Sequence, residues 1–223
     1  DMAVLSSKKI VLGSSCGIAA YKTATLVRLF IKAGAHVQVI MTPASKDFVT
    51  PLTLSTLSKN PVHSTFYNDD DINAQWNNHV ELGLWADLMI IAPVTANTMA
   101  KIARGMADDF LTTSLLATTA PILLFPSMNV HMWEHPFTKE NIKRLKKIGI
   151  IIIDPSSGPL ACGYEGKGRL PEPSAIKDEI LKVLKNSELL LGKKIIVTSG
   201  GTSEPIDDIR TITNKSSGKM GVA

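Results

Sequence analysis

Short continuous apolar runs alternate along this chain with longer stretches whose apolar positions recur at helical spacing. Lys9 to Ser15 is such a run, ending in small residues, and predicts a buried first strand. Residues 18–34 carry Ile18, Leu26, Leu29, Phe30 and Ala33 at mostly helical spacing, with Gly34 as the stop, and His36 to Thr42 predicts strand two. Strand, helix and strand within about 35 residues make the parallel crossover unit. Residues 43–58 predict helical pieces around Thr50-Pro51, and 88–93 strand three. A helix follows at 95–104, closed by Gly105, and another at 110–119. Residues 121–125 predict strand four, 137–147 a helix ending at Gly149, and 150–154 strand five. The repeated strand–helix order predicts an α/β fold, a Rossmann-like doubly wound parallel sheet with helices on both faces.

Three stretches depart from that rhythm. Residues 68–78 are acidic, amide-rich and aperiodic, which predicts a loop. Residues 155–173 are rich in Gly and Pro turns, and a loop of that length inside a compact domain is usually functional or disordered. A helix at 174–185 and a linker at 187–192 lead to a sixth strand at 193–199, followed by a Gly/Ser-rich tail. One strand and a loop cannot bury a core, so the expected division is 1–190 as one domain and 191–223 as the beginning of a second.

Composition narrows the classes. The 223 residues are 44% apolar and 20% charged, as a packed globular core requires. Aromatics at 5% argue against a single-strand nucleic-acid binder that stacks bases. The net charge of +4 comes from dispersed lysines, with one cluster at 143–147 on a helix, so a phosphorylated small substrate suits it as well as nucleic acid would. Two cysteines, Cys16 and Cys162, cannot make a disulfide framework, which points to the cytosol. No apolar run reaches the ~18 residues of a membrane span, and no signal peptide is visible before Lys8-Lys9.

Candidate chemistry gathers at strand ends. Gly13-Ser14-Ser15, Thr42-Pro43-Ala44-Ser45 and Thr95-Ala96-Asn97-Thr98 each follow a strand and open a helix. Singly each is an ordinary helix cap; together at one sheet edge they suit a mononucleotide phosphate, although the dinucleotide glycine fingerprint is absent. Pro126-Ser-Met-Asn-Val-His-Met-Trp133 follows strand four; Asn129 there is either a helix cap or a ligand group. Cys162, flanked by glycine in the aperiodic stretch with Lys167 and Arg169 nearby, is better placed for chemistry than Cys16, which reads as packing. His131 and His135 have metal-ligand spacing but no third ligand, so no metal is expected.

The residues 126–133, as P-x-M-N-x-x-M-W, and Ala161-Cys162-Gly163 through Gly166, Gly168 and Arg169 resemble the motifs of the homo-oligomeric flavin-containing cysteine decarboxylases. His79 before Val-Glu-Leu is similar to that family's active-site histidine. The resemblance spans residues 8–186 and is nearest to the phosphopantothenoylcysteine decarboxylases of coenzyme A synthesis. Residues 192–221 resemble the opening of the phosphopantothenate–cysteine ligases, with Asn214 at the ligase's catalytic asparagine and the rest of that site missing, so no ligase activity is expected of this chain.

This resemblance implies a flavodoxin-like flavoprotein with FMN as cofactor. FMN would be held by Gly13, Ser14, Ser15, Thr42, Ser45, Phe48, Thr95, Ala96, Asn97, Thr98 and Ser127. It implies phosphopantothenoylcysteine as substrate, contacted by Asn129, Met132, Ala161, Gly163, Lys167 and Arg169. The implied route oxidises the substrate to a thioaldehyde, which accepts the electrons released with CO2, and then reduces the enethiolate. His79 would take the thiol proton, Asn129 hold the departing carboxylate, and Cys162 return a proton. It further implies homo-oligomers, trimers or dodecamers, with the active site shared between subunits. A peptidyl-cysteine decarboxylase, a non-catalytic flavin-binding regulatory subunit and the related prenyl-FMN synthase fold are the competing expectations. The ligase-like tail argues against the first, the presence of His79, Asn129 and Cys162 against the second, and the P-x-M-N-x-x-M-W and cysteine-containing clamp against the third.

Overall fold

The computed structural model describes residues 4–66, 78–160, 163, 165–185 and 203–213. It divides the chain into two units, Asp1–Lys185 and Asn186–Ala223. The first is built on six parallel strands: β1 (Lys9–Ser14), β2 (His36–Met41), β3 (Val62–His63), β4 (Leu88–Val94), β5 (Ile122–Pro126) and β6 (Ile151–Ile152). Their order across the sheet is β3-β2-β1-β4-β5-β6, so the chain reverses its direction of travel between β1 and β4. In doubly wound sheets the crevice at that reversal is where ligands bind.

Both faces of the sheet are covered, and this explains why its strands are continuous apolar runs rather than alternating ones. On one face Leu12, Ile90 and Phe125 pack with Leu26 and Phe30 of α1 (Lys22–Lys32), Leu54 of α2 (Pro51–Ser58), and Ile176 and Ile180 of α8 (Pro173–Lys185). The other face joins Val11, Ile91 and Leu124 to Leu82 of α3 (His79–Trp85) and Met99 of α4 (Ala96–Arg104). Leu111 of α5 (Phe110–Ala117) and Leu145 of α7 (Pro136–Lys147) complete that layer. Each large side chain so buried stabilises the fold by about 1.5–3 kcal/mol before entropy is counted. Gly13 belongs to this packing: a Cβ there would stand 2.6 Å from Ile91 Cδ1 and 2.7 Å from Leu111 Cδ1, so its small size lets α5 approach β1.

Three departures from the expected elements have physical causes. The stretch 18–34 is a 3-10 turn at Ile18–Tyr21 followed by α1. Strand β3 has two residues at the sheet edge, too few to show a pattern. The predicted loop 155–173 instead holds an antiparallel hairpin, β7 (Ser156–Pro159) and β8 (Glu165–Arg169), before α8. With Gly166, Lys167 and Gly168 at its centre, β8 has no apolar alternation to reveal it. Residues 68–77 of the acidic stretch and the predicted strand 193–199 lie outside the described residues. In the second unit, β9 (Ser203–Pro205) pairs antiparallel with β10 (Thr211–Thr213). No helix among the described residues is long and apolar enough to cross a membrane.

Candidate functional site

A cavity of about 610 Å³ opens at the carboxyl edge of the sheet. The turn Cys16–Ala19 after β1, with Tyr21 and Lys22, forms one side, and Pro93 of β4 and Ser127–Asn129 after β5 form the floor. Pro159, Leu160 and Gly168–Leu170, from the β7–β8 hairpin and its flanks, form the opposite wall. Its size is that of a small-molecule or cofactor site.

The strand-end hydroxyls are tied into the fold. Ser15 Oγ donates to Pro93 O at 2.9 Å and accepts from Thr95 N at 2.9 Å, while Ser15 N also donates to Pro93 O. This joins the end of β1 to the end of β4 across the reversal point. Thr23 Oγ1 donates to Ser14 Oγ, and Ser45 Oγ to Thr42 O, all of them buried. Thr95 caps α4 by accepting from Thr98 N; Asn97 is exposed on the first turn, and Ala96 precedes it half-buried. Thr42 Oγ1 is different: it is buried at the end of β2 with no partner among the described residues, which leaves it for a polar group of a ligand. Phe48 ends the 3-10 turn Pro43–Asp47 with its ring part-exposed.

Asn129 performs the cap and lines the cavity as well. Its Oδ1 accepts from Met132 N at 2.8 Å and so caps the short α6 (Val130–Glu134). Its Nδ2 has no acceptor among the described residues, so the cap fixes an amide whose N–H donors remain available at the cavity. Trp133 is buried behind it, while Met132 is exposed and does not line the cavity.

The hairpin docks on the same segment. Met128 N donates to Gly168 O at 3.0 Å, and a Cβ on Gly168 would stand 2.1 Å from Met128 O. Only glycine allows that approach. Lys167 pairs with Asp154 at 2.6 Å, and its Nζ lies 5.8 Å from the Trp133 ring centroid. Arg169 lines the cavity and pairs with Glu172 at 2.9 Å. Gly163 N donates to Leu160 O; Ala161, Cys162 and Asn214 lie outside the described residues.

His79 stands apart from the cavity. It opens α3, whose cap is Asn78, and its ring meets Phe66 and Phe110 edge-on at 5.8 and 6.4 Å. The single chain therefore brings Ser127, Asn129 and Arg169 together, but not His79. Among the cavity residues that the sequence did not nominate, two carry reactive or charged groups. Cys16, expected to pack, is half-buried in the cavity wall. Lys22 lies buried at the head of the apolar stripe Leu26, Val27, Phe30, a placement that helical spacing from Leu26 would have revealed.

A family model described as Flavoprotein matches residues 3–185, and one described as DNA/pantothenate metabolism flavoprotein C-terminal domain matches residues 190–223. The chain is 46% identical over 222 residues to the coenzyme A biosynthesis bifunctional protein CoaBC of Bacillus subtilis, covering 99% of this chain and 54% of that protein. It is 45% identical over 219 residues to CoaBC of Escherichia coli strain K12, covering 98% of this chain and 53% of that protein. The chain thus spans about half the length of these curated relatives. Among solved structures, a PPC decarboxylase variant complexed with pantothenoylaminoethenethiol superposes with a TM-score of 0.71 at 34% identity, covering 81% of this chain and 100% of that one. The FMN binding protein AtHal3 superposes with a TM-score of 0.68 at 33% identity, covering 81% of this chain and 98% of that one.

Proposed function

The chain belongs to the flavoprotein family, and on that footing we propose that its first unit is an FMN-dependent decarboxylase of the cytoplasm. It converts phosphopantothenoylcysteine to phosphopantetheine in coenzyme A synthesis. Similarity to PPC decarboxylase and to CoaBC supports the substrate, and similarity to an FMN-binding protein supports the cofactor. Residues 191–223 are proposed to open a phosphopantothenate–cysteine ligase domain, on the strength of the second family match.

The observation that carries the reading is Asn129. A neutral amide, locked by its cap and open to the cavity, can hold a carboxylate through N–H donors. It does so without a full positive charge, which would favour the ionised ground state over the loss of CO2. The strand ends suit FMN: Thr42 offers a buried unpartnered hydroxyl, Ser127 lines the cavity, and Asn97 stands on the exposed first turn of α4. When bound, FMN supplies the two-electron sink that makes cysteine decarboxylation accessible. His79 takes the substrate thiol proton, Asn129 orients the carboxylate, and Cys162 returns a proton to the product. The β7–β8 hairpin excludes water from the reacting centre. His79 lies outside the cavity of its own chain, which supports a homo-oligomer, a trimer or a multiple of it, whose active site is shared between subunits.

The test is an absorbance spectrum of the purified protein, followed by anaerobic addition of phosphopantothenoylcysteine. The expected result is a flavin spectrum and release of CO2. A colourless protein that does not take up FMN overturns the proposal. Within it, Cys162→Ser is expected to release CO2 yet stall before the reduced product, and normal phosphopantetheine yield would remove Cys162 from that role.

A further inference from the structure

We infer that Lys22 and Glu172 form a positioning pair that sets the Arg169 guanidinium in the cavity wall. A lysine at the head of a buried helical stripe is costly to desolvate unless an anion meets it. Lys22 Nζ has that anion: it lies 2.9 Å from Glu172 Oε1 and donates to Leu170 O at 3.4 Å, with its side chain only 8% exposed. The same Oε1 accepts from Arg169 Nη2 at 2.9 Å. One carboxylate oxygen therefore joins the amino end of α1 to the side chain that faces the cavity. Both cations hold the Glu172 carboxyl below its ordinary value, Lys22 most strongly.

The backbone on either side of Arg169 is clipped as well. Gly168 O accepts from Met128 N, and Leu170 O from Lys22 Nζ. Glu172 is itself fixed, because its carbonyl accepts from Ile176 N in the first turn of α8, and α8 buries Ile176 and Ile180 in the core beside α1. An arginine free in solution loses rotamer entropy when it engages a ligand, and here much of that ordering precedes binding. Two cations against one carboxylate leave the group net positive, so Arg169 remains competent to meet an anionic part of the substrate. This consequence rests on the proposed decarboxylase reading; the positioning does not.

The test compares FMN-loaded wild type, Glu172→Gln, Arg169→Ala and the double variant for affinity toward phosphopantetheine by calorimetry. Each single substitution is expected to weaken binding roughly tenfold, the scale of one charge-assisted hydrogen bond, and the double variant no more than Arg169→Ala alone. Losses that multiply independently in the double variant overturn the inference. A second readout needs neither FMN nor ligand: amide exchange over residues 165–170 rises in Glu172→Gln. It also rises in Lys22→Met, which removes the buried charge and keeps the inference testable where Glu172→Gln fails to fold. Unchanged exchange in Lys22→Met overturns the positioning. If exchange rises in these variants while the wild-type protein binds no FMN, the decarboxylase reading falls and the positioning stands.

Discussion

The strand-end floor of the cavity and the hairpin wall that faces it use their polar groups in opposite ways. Beneath the floor, Ser14, Ser15 and Thr23 are buried, and their hydroxyls tie β1 to β4 at Pro93. On the wall, β8 docks through backbone and through the absence of a side chain at Gly168, while Lys167 and Arg169 keep much of their surface exposed. A floor locked by side chains holds its shape with or without a ligand. The wall is anchored at its two ends, by Met128 N on Gly168 O and by the buried Leu170 and Lys22, and between these points only exposed ion pairs hold it, which suits an element that closes over a ligand. Surface ion pairs of this kind each contribute about 0–1 kcal/mol.

The sharpest way to break this contrast is Gly168→Ala. Its methyl cannot share space with Met128 O, so the hairpin must shift, and displacements of this order near a site can cost about a hundredfold in turnover. The β7–β8 hairpin is a two-stranded sheet apart from the six-stranded one, so thermal stability should change less than turnover. Wild-type turnover in Gly168→Ala would show that the docked hairpin plays no part. Ser15→Ala should do the reverse. It strands Thr95 N without its acceptor and lowers unfolding free energy in urea by about 2 kcal/mol. A change within half of that would mean the floor is not tied as described.

The smallest effect is acidic. Glu172 is held below its ordinary 4.5 by Lys22 first and Arg169 second, so its folded-state value is the lower one. Its contribution is fully present above 4.5 and is lost as pH falls through the folded value. Intrinsic-rate-corrected exchange over residues 165–170 should stay flat from neutral pH down to that range and then rise. A rise beginning near neutrality would assign the hairpin's hold to another group.

How much of this was legible follows the same divide. Strands such as Leu88–Val94 and helices such as α7 announced themselves because burial on one or two faces imposes a period. The floor residues were legible as small polar groups at strand ends, though not that Ser15 is occupied by Pro93 and Thr95, since that pairing depends on strand order. The hairpin was invisible because glycine docking leaves no hydrophobic pattern. Lys22 was legible by position, one turn before Leu26 on the same stripe, but a charge in a helical pattern is ordinarily assigned to the solvated face. Asn129 was legible both as cap and as ligand group, and the structure makes the two compatible, Oδ1 for the helix and Nδ2 for the cavity.

Asn129→Asp separates the two roles of that one side chain. Aspartate caps a helix about as well as asparagine, so Oδ1 to Met132 N survives and unfolding free energy should stay within about 0.5 kcal/mol of wild type. The amide donors are gone, and a carboxylate faces the substrate's carboxylate. The protein should still bind FMN, and release of CO2 from phosphopantothenoylcysteine should disappear. Stable, FMN-loaded Asn129→Asp turning over at the wild-type rate would show that the Nδ2 donors do not hold the substrate carboxylate.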